Sequence, residues 1–310
     1  MLKNSMLENS MLKNMRTLVN LVAPIVDILA AIPVFAAASI LKFVRRVGIW
    51  RMPISRSIFN LIGVYPIRDH YYEPLFNHNK YLVHSLRQER DLTGVALNEA
   101  GQLDWLSSFN YADELVEIPI TPKANSAYYY ENPNFPQGDA ECLYSMIRLK
   151  KPSIIIEIGS GFSTLMARLA IEKNKIENSK YSCRHICVEP FEMAWLEETD
   201  GIEVLRQRVE DLDIEMFSLL CKNDILFIDS SHMIRPQGDV LTECLKILPA
   251  LNSGVLIHFH DIFTPFDYPD NWLLDEVKFW NEQYLLEAFL SCNKKFEIIL
   301  AFKFFLYAAS

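Results

Sequence analysis

Apolar residues follow two spacings after residue 152. Short β-branched runs are typical of strands buried on both faces, and the longer amphipathic stretches between them are typical of helices. The predicted strands are Ile154–Ile158, Ile186–Glu189, Glu203–Arg206, Asp224–Asp229 and Gly254–His260, followed by Phe296–Leu300 and Phe304–Ala308. The predicted helices are Thr164–Glu172, Gly238–Leu248 and Asp270–Leu290, with a short one at Leu103–Phe109.

This alternation predicts an α/β fold. Strands separated by helices build a parallel, doubly wound, Rossmann-like sheet, because each crossover helix returns the chain to the same end of the sheet. The last two predicted strands are too close in sequence for a crossover helix, so we expect a C-terminal antiparallel strand. The prediction is a mostly parallel sheet preceded by an N-terminal helical apolar segment.

The N-terminal apolar segment runs from Leu18 to Leu41 and is long enough to span a bilayer. Asp27 and the prolines Pro24 and Pro33 argue against a simple span, so an interfacial helix and a buried soluble helix remain alternatives. The residues from Val47 to Ile67 mix apolar and basic side chains, as an interfacial helix would. More Lys and Arg follow the segment than precede it, which predicts a C-terminal domain on the cytoplasmic face of the membrane.

Four regions are predicted along the chain. Residues 1–17 form a disordered lead, residues 18–62 an apolar membrane-associated helical segment, residues 63–136 a cap or linker, and residues 137–310 the main domain. The cap contains Tyr128–Tyr130 and a proline-punctuated stretch after it. This stretch either covers a site or packs on the core.

The charge distribution narrows the choice of partners. The net charge is -9, but residues 1–60 carry +6 and the remainder -15. An acidic body repels phosphate backbones, so nucleic acid is not an expected partner. The basic N-terminus favours an anionic membrane surface. No Cys-x-x-Cys pair occurs among the six cysteines, which is typical of a reducing compartment.

A glycine motif joins the first predicted strand to the first helix. Glu157, Gly159 and Gly161 stand at E-x-G-x-G spacing, and further acids follow the later strands. This ordered set resembles the class I S-adenosylmethionine-dependent methyltransferases. Further likeness to a bacterial small-molecule branch lies in Phe227–His232, Ile257–Ile262, Trp280–Tyr284, Asp69–Pro74 and Gly138–Glu141.

The resemblance implies S-adenosyl-L-methionine as cofactor and assigns it residues. Glu157 would serve the methionine end, Glu189 the ribose hydroxyls and Glu210 the adenine amine, while Asp229 would adjoin the methyl-transfer site. The turn itself would contribute Gly159, Ser160, Gly161 and Ser163. Ser163 departs from the family pattern, since many members have a third glycine there; its hydroxyl or backbone N–H still suits a carboxylate.

The strand ends also carry candidate catalytic groups. Ligands of open α/β sheets bind at the carboxyl ends of the strands, where Asp229, His232 and His260 fall. His260 is the first candidate for a general base and His232 the second. His258, further back in the strand, is expected to be buried and structural. Alternatively, Asp229 and Asp261 hold Mg²⁺, which would lower the pKa of an acceptor hydroxyl.

The predicted function is O-methylation of a small-molecule, sugar or lipid-like acceptor. A dinucleotide-binding oxidoreductase is disfavoured, because Thr164 occupies the third glycine position of G-x-G-x-x-G. A membrane-attached binding or scaffold protein that keeps the fold without turnover is the other alternative.

Overall fold

The computed structural model describes residues 2–67, 72–123, 127–191, 193 and 195–302, except for the side chains of residues 2–17. The chain forms two compact units, Met1–Val83 and His84–Ser310. The boundaries predicted at residues 17, 62 and 136 stay predictions. Asp69 to Tyr71, part of the family likeness, lie outside the described residues.

The first unit is dominated by one long helix, α1 (Leu2–Val47). The helix begins inside the lead for which the sequence predicts disorder, and the repeated Met, Leu, Lys and Glu of that lead are strong helix formers. The stretch Leu18–Val47 is long and apolar enough to cross a membrane, and its most apolar part is not buried in the protein. A 3-10 turn at Ile49–Arg51 leads to α2 (Pro53–Ile62) and then α3 (His78–Tyr81).

The second unit contains a five-stranded parallel sheet of order β3-β2-β1-β4-β5. The strands are β1 (Ile154–Ile158), β2 (Arg184–Val188), β3 (Glu203–Leu205), β4 (Ile225–Ile228) and β5 (Leu256–Phe259). All five were predicted from the β-branched apolar runs. The strand order reverses beside β1, and this switch point is where such sheets bind their ligands.

Helices cover both faces of the sheet. They are α4 (Glu99–Ser107), α5 (Ala112–Leu115), α6 (Asp139–Lys150), α7 (Phe162–Glu177), α8 (Asp239–Thr242), α9 (Leu248–Ala250) and α10 (Glu282–Leu290). A π-helical turn, Glu243–Ile247, joins α8 to α9. One core cluster contains Ile155 and Phe227 with residues of α6 and α7, and the other contains Ile156 and Ile158 with residues of the π-helical turn, α9 and α10. Side chains of β1 therefore alternate between two buried layers.

The helix predicted over Asp270–Leu290 is broken. A π-helical turn (Asn271–Asp275) ends it early, and Val277 has a positive φ of 57°. The chain becomes helical again at α10, whose preceding Asn281 donates its N–H to the His232 carbonyl (3.0 Å). The break places the residues between these two elements beside the carboxyl edge of the sheet.

The predicted strand Phe296–Leu300 is also not formed. The backbone here binds side chains at or just before α4 instead of a neighbouring strand: Asn98 donates to the Ile298 carbonyl (3.0 Å), and the N–H of Ala301, the residue after the predicted strand, donates to Gln102 (2.6 Å). Phe304–Ala308 lie outside the described residues, so the antiparallel pairing stays a prediction.

Candidate active site

The loop after β1 passes close to the end of β4. Gly159 has a φ of +79°, and a Cβ there would lie 1.8 Å from the Asp229 carbonyl oxygen. Backbone hydrogen bonds fix both segments: Gly159 donates to Val188 (2.9 Å), and Asp229 donates to Ile158 (2.8 Å). Gly161 is extended at φ -178°, and a Cβ there would meet none of the described atoms within 4 Å. Gly159 is therefore needed for packing, whereas Gly161 faces open space.

The Glu157 carboxylate is fully buried beneath this loop. Its Oε2 accepts from the Thr164 hydroxyl (2.6 Å) and lies 2.9 Å from His185 Nε2. Within the described part of the chain, Glu157 Oε1 and the buried Ser160 hydroxyl have no hydrogen-bond partner. Unsatisfied buried polar atoms beside a glycine loop fit a ligand that brings its own donors, such as the ammonium of a methionine group.

Glu189 follows β2 and is buried. Its Oε2 accepts from the Ser160 N–H (3.2 Å), and its Oε1 accepts from the Phe191 N–H (2.8 Å). Each carboxylate oxygen has a further lone pair, so Glu189 can still accept from two ribose hydroxyls. The loop and this acid are thus tied together on the expected cofactor side.

The remaining predicted cofactor residues lie at the same edge of the sheet. Ser163 is buried in the first turn of α7, and Glu210 lies in the 3-10 turn after β3. Arg208 Nη1 is 3.7 Å from Glu210. Their contacts with a cofactor stay predictions.

A cavity of about 710 Å³ opens beyond the ends of β4 and β5. It brings together four of the predicted chemical groups, one proline-rich segment and two tryptophans. Its lining includes Asp229, His232, His260, Asp261, Asp139, Pro133, Asn134, Pro136, Gln137, Trp272, Lys278 and Trp280. The stretch around Tyr128–Pro136 therefore both packs on the core and covers the site. Tyr128 and Tyr130 pack in the core, while Pro133 and Pro136 line the cavity.

His260 is buried between two aspartates. Its Nδ1 lies 3.3 Å from Asp139 and its Nε2 lies 3.4 Å from Asp261. Burial by itself lowers the pKa of His260, but the nearby carboxylates of Asp139, Asp261 and Asp229 outweigh it and raise the pKa to about 9. His260 is therefore a strong base that holds a proton firmly once it has one.

His232 is held more tightly. Its Nδ1 lies 2.8 Å from Glu282, and its Nε2 lies 3.2 Å from Asp229 and 4.0 Å from Asp261. Burial lowers the pKa of His232, but its hydrogen bonds to Asp229 and Glu282 raise it to about 10. Both ring nitrogens of His232 already lie within hydrogen-bond distance of a carboxylate, at 2.8 and 3.2 Å, so His232 is a poorer candidate for the base than His260.

His258 lies one strand position behind the site, with its ring centroid 4.9 Å from that of Phe227. Burial lowers the pKa of His258 to about 4, so this imidazole is neutral. It packs among aromatic rings, as expected for a structural residue.

Sequence reasoning missed several residues of this site. Asp139 and Glu282 hold the two histidines, and Trp280 packs on His232 with ring centroids 4.2 Å apart. Asp139, Trp280 and Glu282 do lie in Gly138–Glu141 and Trp280–Tyr284, two of the segments that resemble the family. Sequence spacing alone, however, does not show which side chain contacts which histidine. Among the described residues, the set of three or more His, Cys, Asp or Glu side chains close enough to share a metal is Glu157, His185 and Cys187.

Comparison with known proteins agrees with the fold of the second unit. The family model described as a methyltransferase domain matches residues 156–262, from β1 to just beyond β5. An uncharacterized protein of Archaeoglobus fulgidus is 31% identical over 182 residues, which cover 54% of this chain and 78% of that protein.

A solved structure is also similar. It is a protein-L-isoaspartate O-methyltransferase of Plasmodium falciparum in complex with S-adenosyl-L-homocysteine, at 13% identity and a TM-score of 0.26, covering 53% of this chain and 78% of that one. That similarity is too low to support any statement about chemistry. The family match and the archaeal relative suffice: the chain belongs to the methyltransferase family, and it is an S-adenosylmethionine-dependent methyltransferase.

Proposed function

We propose that the enzyme transfers a methyl group to a hydroxyl of a small acceptor bound in the cavity beyond β4 and β5. The observation that carries the proposal is the convergence of His260, Asp229 and Asp261 on this cavity, next to the glycine loop. S-adenosylmethionine, when bound, supplies the methyl group on a sulfonium. The chain's own residues must then align the acceptor and take up its proton.

His260 is the proposed general base. Nδ1 faces the Asp139 carboxylate at 3.3 Å, so we assign the other ring nitrogen, Nε2, to take the acceptor proton beside Asp261. The same two carboxylates stabilise the imidazolium that results. Asp229, held by His232, is the proposed catalytic carboxylate nearest the end of β4 and orients the acceptor hydroxyl.

The cavity wall suggests the kind of acceptor. Trp272 and Trp280 lie nearly edge to face, with ring centroids 5.1 Å apart. Lys278 Nζ lies 4.9 Å and 5.1 Å from their centroids. Tryptophan faces among proline and amide side chains suit a ring that stacks and hydrogen-bonds, such as a sugar or the head of an amphiphile.

A second candidate mechanism uses Mg²⁺ in place of a strong base. Asp229 and Asp261 both approach His232 Nε2, within 3.2 and 4.0 Å, so their carboxylates converge on one point. That point is occupied by an imidazole whose pKa is raised to about 10. The residues as placed therefore do not fit a cation unless His232 turns away, and we derive no step through a metal.

The cofactor assignment predicts a measurable affinity. Calorimetry should show binding of S-adenosylhomocysteine to the wild type, and Glu189→Ala should weaken it by about 1–3 kcal/mol, because the ribose edge loses its acceptor. Glu198→Ala, at an exposed position in the segment after β2, is the matched control and should bind normally. No binding to the wild type at millimolar ligand would reject the assignment.

We also propose that α1 attaches the enzyme to a membrane. The apolar stretch from Leu18 to Leu41 lies within the helical residues Leu18–Val47, and in an α-helix its 24 residues span about 36 Å, more than the ~30 Å hydrocarbon core. Lys42, Arg45 and Arg46 follow the apolar stretch, so the positive-inside rule places the catalytic domain on the cytoplasmic face. There it can meet an amphiphilic acceptor.

Membrane attachment predicts how the protein fractionates. Full-length protein should pellet with membranes, and a chain beginning at Gly63 should stay in the supernatant, because it lacks the apolar helix. Washing with carbonate should remove an interfacial helix but not a span. Full-length protein that stays soluble without detergent would reject both arrangements and leave a helix buried against a partner.

A further inference from the structure

A buried polar cluster lies beneath the glycine loop, apart from the catalytic histidines. The β1–β2 register pairs Glu157 with Cys187 and Ile155 with His185, so alternation puts the acid, the thiol and the imidazole on one face. Thr164 reaches the same point from α7. The four side chains are at most 1% exposed.

The donors of this cluster all meet one oxygen of the acid. The Thr164 hydroxyl (2.6 Å), His185 Nε2 (2.9 Å) and the Cys187 thiol (3.5 Å) surround Glu157 Oε2. These three residues are called the clamp below. Because a carboxylate oxygen accepts, Nε2 of the imidazole carries the hydrogen. Oε1 of the same carboxylate is buried and has no partner among the described residues.

The unequal hydrogen bonding of the two Glu157 oxygens indicates a role beyond packing. A carboxylate that served only to fill the core would be best stabilised by donors on both oxygens, since each unsatisfied buried oxygen costs free energy. Here three donors fix one oxygen and leave the other free. The Thr164 hydroxyl also accepts from the Gly161 N–H (3.1 Å), so one side chain joins the acid to the loop that faces open space.

We propose that the clamp is a set of positioning residues: it fixes Oε2 of Glu157 so that Oε1 accepts from the ammonium group of the cofactor's methionine portion. The proposal rests on the proposed function, in which S-adenosylmethionine is the cofactor, and on the expectation that Glu157 serves its methionine end. A metal site is the competing explanation, because the acid, imidazole and thiol atoms lie within 4.8 Å of one another. Burial raises the pKa of Cys187 far above its ordinary value, so without a metal the thiol is protonated and donates to Glu157 Oε2 at 3.5 Å.

Two ligands that differ only at the methionine end test the proposal. S-adenosylhomocysteine carries the ammonium, whereas methylthioadenosine has the same nucleoside without the amino-acid portion. In full-length protein, Thr164→Val removes the donor at nearly constant volume. It should weaken S-adenosylhomocysteine about tenfold, the effect of one lost hydrogen bond to a charged group, and leave methylthioadenosine unchanged. Thr164→Ser and His185→Gln keep a donor and should restore most of the affinity, whereas His185→Leu should not.

Thr242→Val is the matched control. Its side chain is also buried, but its hydroxyl donates to the carbonyl of Gly238 (3.1 Å), the residue before α8, so its loss should lower the melting temperature without separating the two ligands. If Thr164→Val weakened both ligands equally, the clamp would be merely structural and the proposal wrong.

If the purified wild type held one equivalent of zinc that was lost in Cys187→Ser and kept in Cys183→Ser, the cluster would be a metal site. Failure of the wild type to bind either ligand would refute the cofactor assignment and the clamp with it.

Discussion

Replacing His260 with alanine will lower turnover by about 10²–10⁴-fold and leave the affinity for S-adenosylhomocysteine unchanged. The reason is that His260 lies at the acceptor cavity, whereas the cofactor side is formed by the glycine loop and Glu189. Turnover is measured as release of S-adenosylhomocysteine with an acceptor found by screening hydroxylated small molecules. His84→Ala, at an exposed position of the same unit, is the control and should keep full activity.

The pH dependence of the wild type provides a second measure of the same role. A base acts only in its neutral form, and the pKa of His260 is raised to about 9, chiefly by Asp139 and Asp261 against the effect of burial. The neutral fraction therefore grows about tenfold per pH unit below that pKa, so kcat/KM should rise with pH and level off near pH 9. Asp139→Asn removes a charge that raises the pKa, so its profile should level off at lower pH.

Two outcomes would contradict this role. Full turnover in His260→Ala would remove the histidine from the reaction. Activity that is abolished by EDTA and restored by Mg²⁺ would favour the metal alternative at Asp229 and Asp261, and His260 would then be a structural neighbour of that site.

The sheet could be predicted because its signal is local. Strands β1, β2 and β4 are short apolar runs whose residues are mostly buried on both faces, and the glycine or acid that ends each of them follows directly in sequence. The errors occur where contacts distant in sequence override local pattern. Phe296–Leu300 has the composition of a strand, yet its Ile298 carbonyl accepts from Asn98, and the N–H of the following Ala301 donates to Gln102.

The carboxylates that contact the two histidines could not be predicted either, because they are distant from the histidines in sequence. Asp139 precedes β1 and Glu282 follows β5, and only the folded chain brings them to His260 and His232. Thr164 shows the opposite case. In the sequence, Thr164 disfavours a dinucleotide cofactor because it occupies the third glycine position. In the structure, its hydroxyl donates to the Glu157 carboxylate, the group expected to serve S-adenosylmethionine.

Gly159→Ala will destabilise the domain by at least about 3 kcal/mol, because a backbone clash adds to the roughly 1–2 kcal/mol of strain that alanine meets at a positive φ. The new Cβ would lie 1.8 Å from the Asp229 carbonyl oxygen. Neither segment can move cheaply, because Asp229 donates to Ile158 and Gly159 donates to Val188. The free energy of unfolding in urea, compared at constant m-value, measures the loss.

Gly161→Ala is the matched substitution two residues along the same loop. Its extended φ suits alanine and its Cβ meets none of the described atoms within 4 Å, so stability should stay within about 0.5 kcal/mol of the wild type. The space it fills is the space a cofactor needs against the backbone, so S-adenosylhomocysteine affinity should fall while the fold persists. These two results would show that the fold requires Gly159 and that ligand binding requires Gly161. Equal stability of both variants would show that the loop and the end of β4 are not fixed against each other, and unchanged ligand affinity in Gly161→Ala would place the cofactor elsewhere.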